Sequence, residues 1–529
     1  MRNRIILVCF LLSLFAGCID DEGNYNYREL NEPVFKSEQI TVYAYEGEKV
    51  NVASNFYFEK DSAERLADVR YEWTLNGVVI SEERDFSVET DTLVKKAGIT
   101  KFSDDGFYGY FIVIEKSTGI RYMRNVFYMI SPKYSRGDWL VLSENGNDTK
   151  LSFVKKKGKS VNGQSILYYE VHDDLYKELN GEDIPGKPRR IRYSQGRNIS
   201  ESNGSATIIT DQVVYELNNE NFLKAYDVKE RFEGGVPADF SAVDVYHSGR
   251  GSYLAMEDGR LYRRVMSSDW LGGKYVNEPY SVDNKGNKVT WFGMGGLSVW
   301  SSISPCYDEQ NRRVLMIQTN PSYSIIPVKA SYDESALPAW NMPEGTEVLY
   351  LAEMKNIDFG YFSMNRLFTM VYNQGGKTYL SDFVVNYYTL QCINTDGLWE
   401  KDRIIKPMPF PGGDLDKDSR FITTILYQMG TTGMVILYTK DNELRYINKN
   451  SKSDYLLLQF DAKITTLRLT TYNVNSGQVA VGLENGEFMM ADISSLTSPY
   501  VYEESRVNLG GRVADAMEIR NETSCMDNY

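Results

Sequence analysis

Histidine is nearly missing from this chain: His172 and His247 are its only two among 529 residues. Hydrolysis through an imidazole relay needs a His set against an orienting carboxylate, and His247, in Val245-Tyr246-His247-Ser248-Gly249, reads instead as a loop or strand-edge residue. Cysteine is scarce too. Beyond Cys9 and Cys18 there are only Cys306, Cys392 and Cys525, too scattered for a disulfide framework. One pair among those three, or idle thiols, are both open. No His-Glu-x-x-His, Cys-x-x-Cys or Gly-x-Ser-x-Gly occurs, so motif-built zinc sites and serine hydrolases drop out. Gly375-Gly376-Lys377-Thr378 imitates the end of a phosphate loop, but Val371 stands where the first glycine must be. Basic charge is in deficit, with a net charge of −14. Such a chain repels phosphate backbones, and no nucleic-acid partner is expected. Lys155-Lys156-Lys157 and Arg189-Arg190 read as solvated loop charge. After the first residues no apolar run approaches the length of about 18 that spans a bilayer as a helix. Long 3.6-residue periodicity is also absent, which argues against alternating α/β folds.

What is present begins at the N-terminus. Arg2 and Arg4 precede the short apolar run Ile5 to Phe15, and Ala16-Gly17 supply small residues before Cys18. Residues 1–17 therefore read as a lipoprotein signal peptide, with Cys18 acylated at the start of the mature chain. Phe15 occupies the place where a lipobox usually has Leu, and Leu14 lies one further back. Each buried methylene of a lipid contributes roughly 0.8 kcal/mol, so several chains would hold the protein to its membrane. Residues 18–32 are polar and poor in aliphatics, and read as a tether.

From Ile40 the texture becomes β. Ile40 to Tyr45 alternates, Tyr71-Glu72-Trp73-Thr74-Leu75 runs into the hairpin signal Asn76-Gly77, and Tyr108 to Ile114 is followed by a strand from Ile120 to Ile130. This predicts an Ig-like sandwich over 33–131, with Trp73 as its core plug. Beyond it, strand–turn–strand units recur. They start at Trp139, Thr207, Tyr253, Arg313, Leu367, Met434 and Gln478, with turns such as Asp258-Gly259, Gly375-Gly376 and Asn485-Gly486. Seven units with room for four strands each predict a seven-bladed β-propeller over 134–529. The rival is a tandem of sandwiches. Arg512 to Ile519 is the expected closing strand.

Few residues announce chemistry. Asp414-Leu415-Asp416-Lys417-Asp418-Ser419 has the alternating carboxylates that suit a hard cation, although Ser419 and Ile425 replace the Gly and Glu of an EF-hand. A structural calcium on Asp414, Asp416 and Asp418, or a solvated acidic turn, both fit; no other cofactor is expected. Ser281 to Gly286 followed by Thr290-Trp291 resembles the Asp-box turn of sialidase-type propellers, with insertions around the Gly; that box marks fold and not catalysis. Trp270, Trp291, Trp300 and Trp340 fall in long connections, where they either meet a ligand or fill gaps between blades.

The run Cys18-Ile19-Asp20-Asp21-Glu22-Gly23-Asn24-Tyr25-Asn26-Tyr27, with Tyr71-Glu72-Trp73 and Asn76-Gly77, resembles the PKD-like family lipoproteins of the Bacteroidetes type. The resemblance implies an N-terminal PKD-like module, and it implies that Asp20, Asp21 and Glu22 signal export to the outer face of the outer membrane. It also implies a place beside a TonB-dependent transporter and its lipoprotein lid in a Sus-like uptake system for peptides or glycans. The expectation is an accessory binding or scaffold lipoprotein and not an enzyme. The alternatives are a carboxylate-dependent glycoside hydrolase or lyase on the propeller, and a purely structural partner-docking lipoprotein.

Overall fold

A computed structural model describes residues 31–60, 62–103, 105–135, 137–161, 164–194, 205–248, 251–265, 273–293, 303–318, 324–331, 337–354, 365–386, 388–392, 406–428, 431–470 and 477–519. Cys18, Asp20, Asp21, Glu22, Trp270, Trp300 and Cys525 lie outside them. The described chain is almost entirely β-strand. Its α-helices are short: Ser62–Ala67, Thr90–Lys96 and Leu175–Asn180. It divides after Ile130 into two compact units.

In the first unit a five-stranded sheet runs Gln39–Tyr45, Arg121–Ser131, Phe107–Glu115, Val69–Leu75, Val78–Ser81 in spatial order. Lys49–Val52 pairs with Phe86–Glu89, and Pro33–Phe35 pairs with Phe56–Phe58. The Asn76-Gly77 hairpin forms as its residues dictate: φ is 50° at Asn76 and 77° at Gly77, a pair that only Asn and Gly reach cheaply. Trp73 is fully buried and stacks on Phe111 at 4.2 Å between centroids. Its indole N–H donates to the Glu83 carbonyl at 3.0 Å, so the polar tip of the plug is satisfied. The two helices in this unit were not foreseen. Thr90–Lys96 buries Thr90 and Leu93 on one side, a periodicity too short to register in a strand-rich context.

The second unit holds seven sheets among the described residues, antiparallel except where Phe232–Glu233 pairs in parallel with Tyr275–Val276. Six of them start from an edge strand, Pro188–Ser194, Ala242–Ser248, Ile303–Asp308, Glu347–Met354, Phe421–Gln428 or Ile464–Leu469, and continue with the next strands in chain order; in the second of these the short earlier strand Phe232–Glu233 adds at the far edge. The remaining sheet, first in the chain, contains Trp139–Asn145, Asp148–Val161 and Gln164–His172, and it is completed by Val513–Glu518 from the far end. Leu140 lies opposite Met517 and Val141 opposite Ala516. The strand expected from Arg512 to Ile519 thus forms over Val513–Glu518 and pairs with the first strand of this unit.

The strands of this unit are apolar on both faces because each sheet has two neighbours. Successive side chains point to opposite faces, so one strand feeds two cores. Leu140 and Leu142 join the core shared with Ile208 and Tyr215, whereas Trp139 and Val141 join the one shared with Ala480 and Phe488. Leu254 and Met256 pack with Ile209 and Val214; Tyr253 and Ala255 pack with Leu315 and Ile317. Val314 and Met316 turn toward Leu351 and Phe368, Tyr350 and Ala352 toward Ile436 and Tyr438, and Leu437 toward Val479 and Met489. Seven such cores link the sheets in chain order, and the seventh sheet meets the first.

Buried ion pairs cross between sheets at the same places. Arg192 makes a two-pronged contact with Asp244 at 2.9 and 3.0 Å. Arg264 meets Glu216 at 2.8 Å, and Lys449 meets Asp382 at 2.6 Å with both side chains nearly inaccessible. Removing one member of such a pair strands a charge in low dielectric, at about 3–5 kcal/mol. One sequence reading is corrected here. Lys155 and Lys157 are buried in the strand Asp148–Val161, where Lys155 donates to the Lys133 carbonyl at 2.6 Å and Lys157 meets Glu170 at 2.7 Å. His247 does lie one residue from the end of an edge strand of its sheet, but its surroundings are not those of a surface residue. It is fully buried in Ala242–Ser248, with Nε2 3.0 Å from Thr207 Oγ1 and Nδ1 2.7 Å from Ser252 Oγ.

Candidate functional site

The opening strands of the six later sheets, their approaches, and Val513–Glu518 surround a cavity of about 810 Å³. This size is within the range of small-ligand pockets. Three features define its wall. Arg189, Arg190, Arg192, Lys417, Arg420 and Arg468 bring positive charge, Trp291, Phe292, Tyr307 and Tyr350 bring rings, and Glu257, Glu309, Glu347 and Asp515 bring carboxylates.

The carboxylates are all engaged. Glu257 accepts from Arg189 at 2.9 Å and from Ser241 at 2.8 Å; Glu309 meets Lys288 at 2.7 Å; Glu347 accepts from Asn373 at 3.1 Å. Asp515 is buried, receives Arg468, and accepts from the Ile191 amide at 3.1 Å. Behind the wall, burial pushes the Asp244 carboxyl up, but Arg192 and Arg190 outweigh it and hold the group below the usual carboxylate range.

The cations are not all matched. Arg189, Arg192 and Arg468 have the carboxylates just named. Arg420 spends its guanidinium on carbonyls instead, donating to Thr465 at 3.0 Å and Asp418 at 2.8 Å among others. Arg190 is half-buried and has neither a hydrogen bond nor an ion pair among the described residues. Burial, with Arg190 and Arg468 alongside, pulls Arg420 down to about 10. Burial also lowers Arg468 against the pull of Asp515, and Arg192 and Arg190 add to the lowering. These guanidiniums feel one another as like charges.

Arg189-Arg190, expected as solvated loop charge, instead lies in the strand Pro188–Ser194 and on the cavity wall. The signal was available. Arg190 and Arg192 alternate along a strand, Arg468 interrupts the apolar Ile464–Leu469, and a charge at such a position must have a partner or a function.

Of the tryptophans, Trp291 lines the cavity, half-buried against the neighbouring core. Trp340 is half-buried against that core and is not part of the cavity wall. Asp414, Asp416 and Asp418 border a separate cavity of about 180 Å³ together with Lys440 and Lys463. Their carboxylates are spent separately. Asp414 accepts from the Thr378 amide at 3.1 Å, Asp416 caps its own turn by accepting from Asp418 N at 2.9 Å, and Asp418 pairs with Lys463 at 2.8 Å. Among the described residues no group of three His, Cys, Asp or Glu is arranged to hold a metal ion. Asp283, in the turn resembling an Asp-box, is held by both terminal nitrogens of Arg313 at 2.6 and 3.0 Å. Cys306 and Cys392 are buried free thiols; burial pushes Cys392 up to about 12, where it is inert. No described helix is long and apolar enough to cross a membrane.

Residues 18–188 match the PKD-like family, and the chain thus carries an N-terminal PKD-like domain. Its larger, β-rich remainder resembles propeller-type proteins. Among solved structures, a quinoprotein alcohol dehydrogenase-like protein from Bacteroides thetaiotaomicron is 10% identical, covering 91% of this chain and 94% of its own, with a TM-score of 0.35. The Dos1 propeller is 12% identical over 72% of this chain and 87% of its own, at 0.39. Chaetomium thermophilum Sqt1, bound to the N-terminus of ribosomal protein L10, is 11% identical over 61% and 77%, at 0.35. No curated protein matches the sequence.

Proposed function

We propose that this chain is a surface lipoprotein that binds and does not catalyse. Cys18 carries the lipid, Asp20, Asp21 and Glu22 direct display on the outer face, the PKD-like sandwich is a spacer, and the second unit is a seven-bladed propeller with a ligand cavity on its axis. The ring reading rests on the cyclic order of the seven inter-sheet cores and on the pairing of Val513–Glu518 with Trp139–Asn145. The observation that carries the functional reading is the cavity wall. Every carboxylate on it is already paired or hydrogen-bonded, while guanidinium charge is left over. Such a wall holds a ligand, whereas a glycosidase needs one carboxyl kept protonated and a second one free.

In its finer form, this reading places the protein beside a TonB-dependent transporter and its lipoprotein lid, as a scaffold or accessory receptor in a Sus-like uptake system. Support comes from the PKD-like match and from the residues around Cys18. The test is co-purification from outer membranes of the wild type and of Cys18→Ala. The wild type should partition with membranes and bring down a transporter, and the variant should lose both. Recovery of Cys18→Ala in the membrane with its partners intact would overturn the anchoring. Among the described residues, the carboxyl raised highest that the enzyme reading has to offer is Glu353, which burial raises to about 7 against the opposing charge of Arg366. Product release from a polysaccharide or peptide panel, abolished in Glu353→Gln, would replace binding with catalysis.

A further inference from the structure

The cavity's charge is the reverse of the chain's. A protein of net charge −14 has gathered six cations on one wall, and three of them, Arg190, Arg420 and the exposed Lys417, have no carboxylate within ion-pair reach among the described residues. Clustering like charges without neutralising them is unfavourable in the empty protein. Arg190 is the sharper case. Its guanidinium has five N–H donors in a planar fork, is half-buried, and donates to no described acceptor. Neighbouring Asp244 is saturated: it takes both prongs of Arg192 and the amides of Phe292 at 3.1 Å and Val245 at 2.9 Å. Arg420 is anchored through Nε and Nη1, which leaves Nη2 with no described acceptor. Local carboxylates are therefore not the acceptors this geometry awaits.

Deepening the binding reading above, we propose that Arg190 and Arg420, backed by Arg468, form the receptor for the oxyanion of an acidic saccharide, a uronate or sulfated sugar of about disaccharide size. Guanidinium forks match carboxylate and sulfate oxygens in pairs. Trp291 gives the same wall a flat apolar face for a sugar ring, and Thr290, Glu309 and Glu347 supply polar partners for hydroxyls. An acidic peptide would use the same charges but has no need of the ring face, so sugar and peptide are separable by experiment.

The probes are digalacturonate, its neutral digalactose counterpart, sodium sulfate and an acetylated Asp-Asp dipeptide, titrated calorimetrically into the purified full chain. Digalacturonate should bind, weaken as salt rises, and exceed the neutral sugar, free sulfate and the dipeptide by about tenfold or more. Arg190→Glu should abolish binding, and Trp291→Ala should weaken the saccharide and leave sulfate unchanged. Arg190 makes no side-chain hydrogen bond or ion pair among the described residues and acts on the fold only through its charge beside Asp244, so the neutral Arg190→Met should lose binding as well and melt close to wild type. This keeps loss of binding distinct from loss of structure. Equal binding of the neutral sugar, unaltered binding by Arg190→Glu, or a dipeptide that binds as well as the saccharide would each overturn the proposal. None of these outcomes bears on the lipid anchor, which the membrane partition of Cys18→Ala tests separately.

Discussion

His247 shows how a single residue changes meaning once its surroundings are known. In sequence it sits beside Ser248-Gly249 and looks like the start of a turn. In the structure it is inaccessible, held between Thr207 and Ser252, and its imidazole is pushed well below the ordinary value first by burial and then by Arg264 and Arg192, with Asp244 opposing. The sign of the consequence follows. The folded state keeps this ring neutral while the unfolded chain takes up a proton near pH 6.5, so the stability it contributes is present above that value and is lost as pH falls below it. Chemical denaturation between pH 5 and 7 should show His247→Gln losing stability less steeply than wild type, by up to about 1.4 kcal/mol per pH unit. Parallel slopes would mean the imidazole protonates in the fold. Asp138, which burial raises to about 6, acts in the opposite direction in both proteins and cancels in the comparison.

Strands carried most of what could be read in advance. The seven strand–turn–strand units map onto antiparallel pairs in seven sheets, because continuous apolar runs such as Val435-Ile436-Leu437-Tyr438 mark strands buried on both faces. Helices of six or seven residues were missed, as were strands of two residues such as Met408–Pro409, which are too short to show a period. The closing strand is the element with the most at stake. Deleting residues from 510 onward should expose the edge of Trp139–Asn145, remove Val513 and Ala516 from the core they share with Trp139, and leave Arg468 without Asp515. The cost should exceed about 3 kcal/mol and bring aggregation through the open edge. A truncated chain that stays soluble and melts like wild type would rule out this closure.

At the scale of the whole molecule, each unit has a core of its own. Trp73, Phe111 and Val113 centre the first, and the seven shared cores make up the second. Calorimetry of the full chain should resolve two transitions, reproduced by residues 31–131 and 131–529 made separately. A single transition absent from both pieces would contradict that independence. The all-β class, the break near residue 131, the sandwich plug and the repeat are legible along the chain, since they depend on local alternation and turn chemistry that neighbouring residues specify. The aromatic rings are legible there as well. The cavity and its charge arise only when the chain is folded. Arg190, Arg420 and Arg468 lie hundreds of residues apart in part, and which of them is neutralised depends on where Asp244, Asp515 and the Thr465 carbonyl are brought. Coulomb interactions and burial act through space and not along the chain, so a site assembled from the opening strands of different sheets has no signature in any one of them.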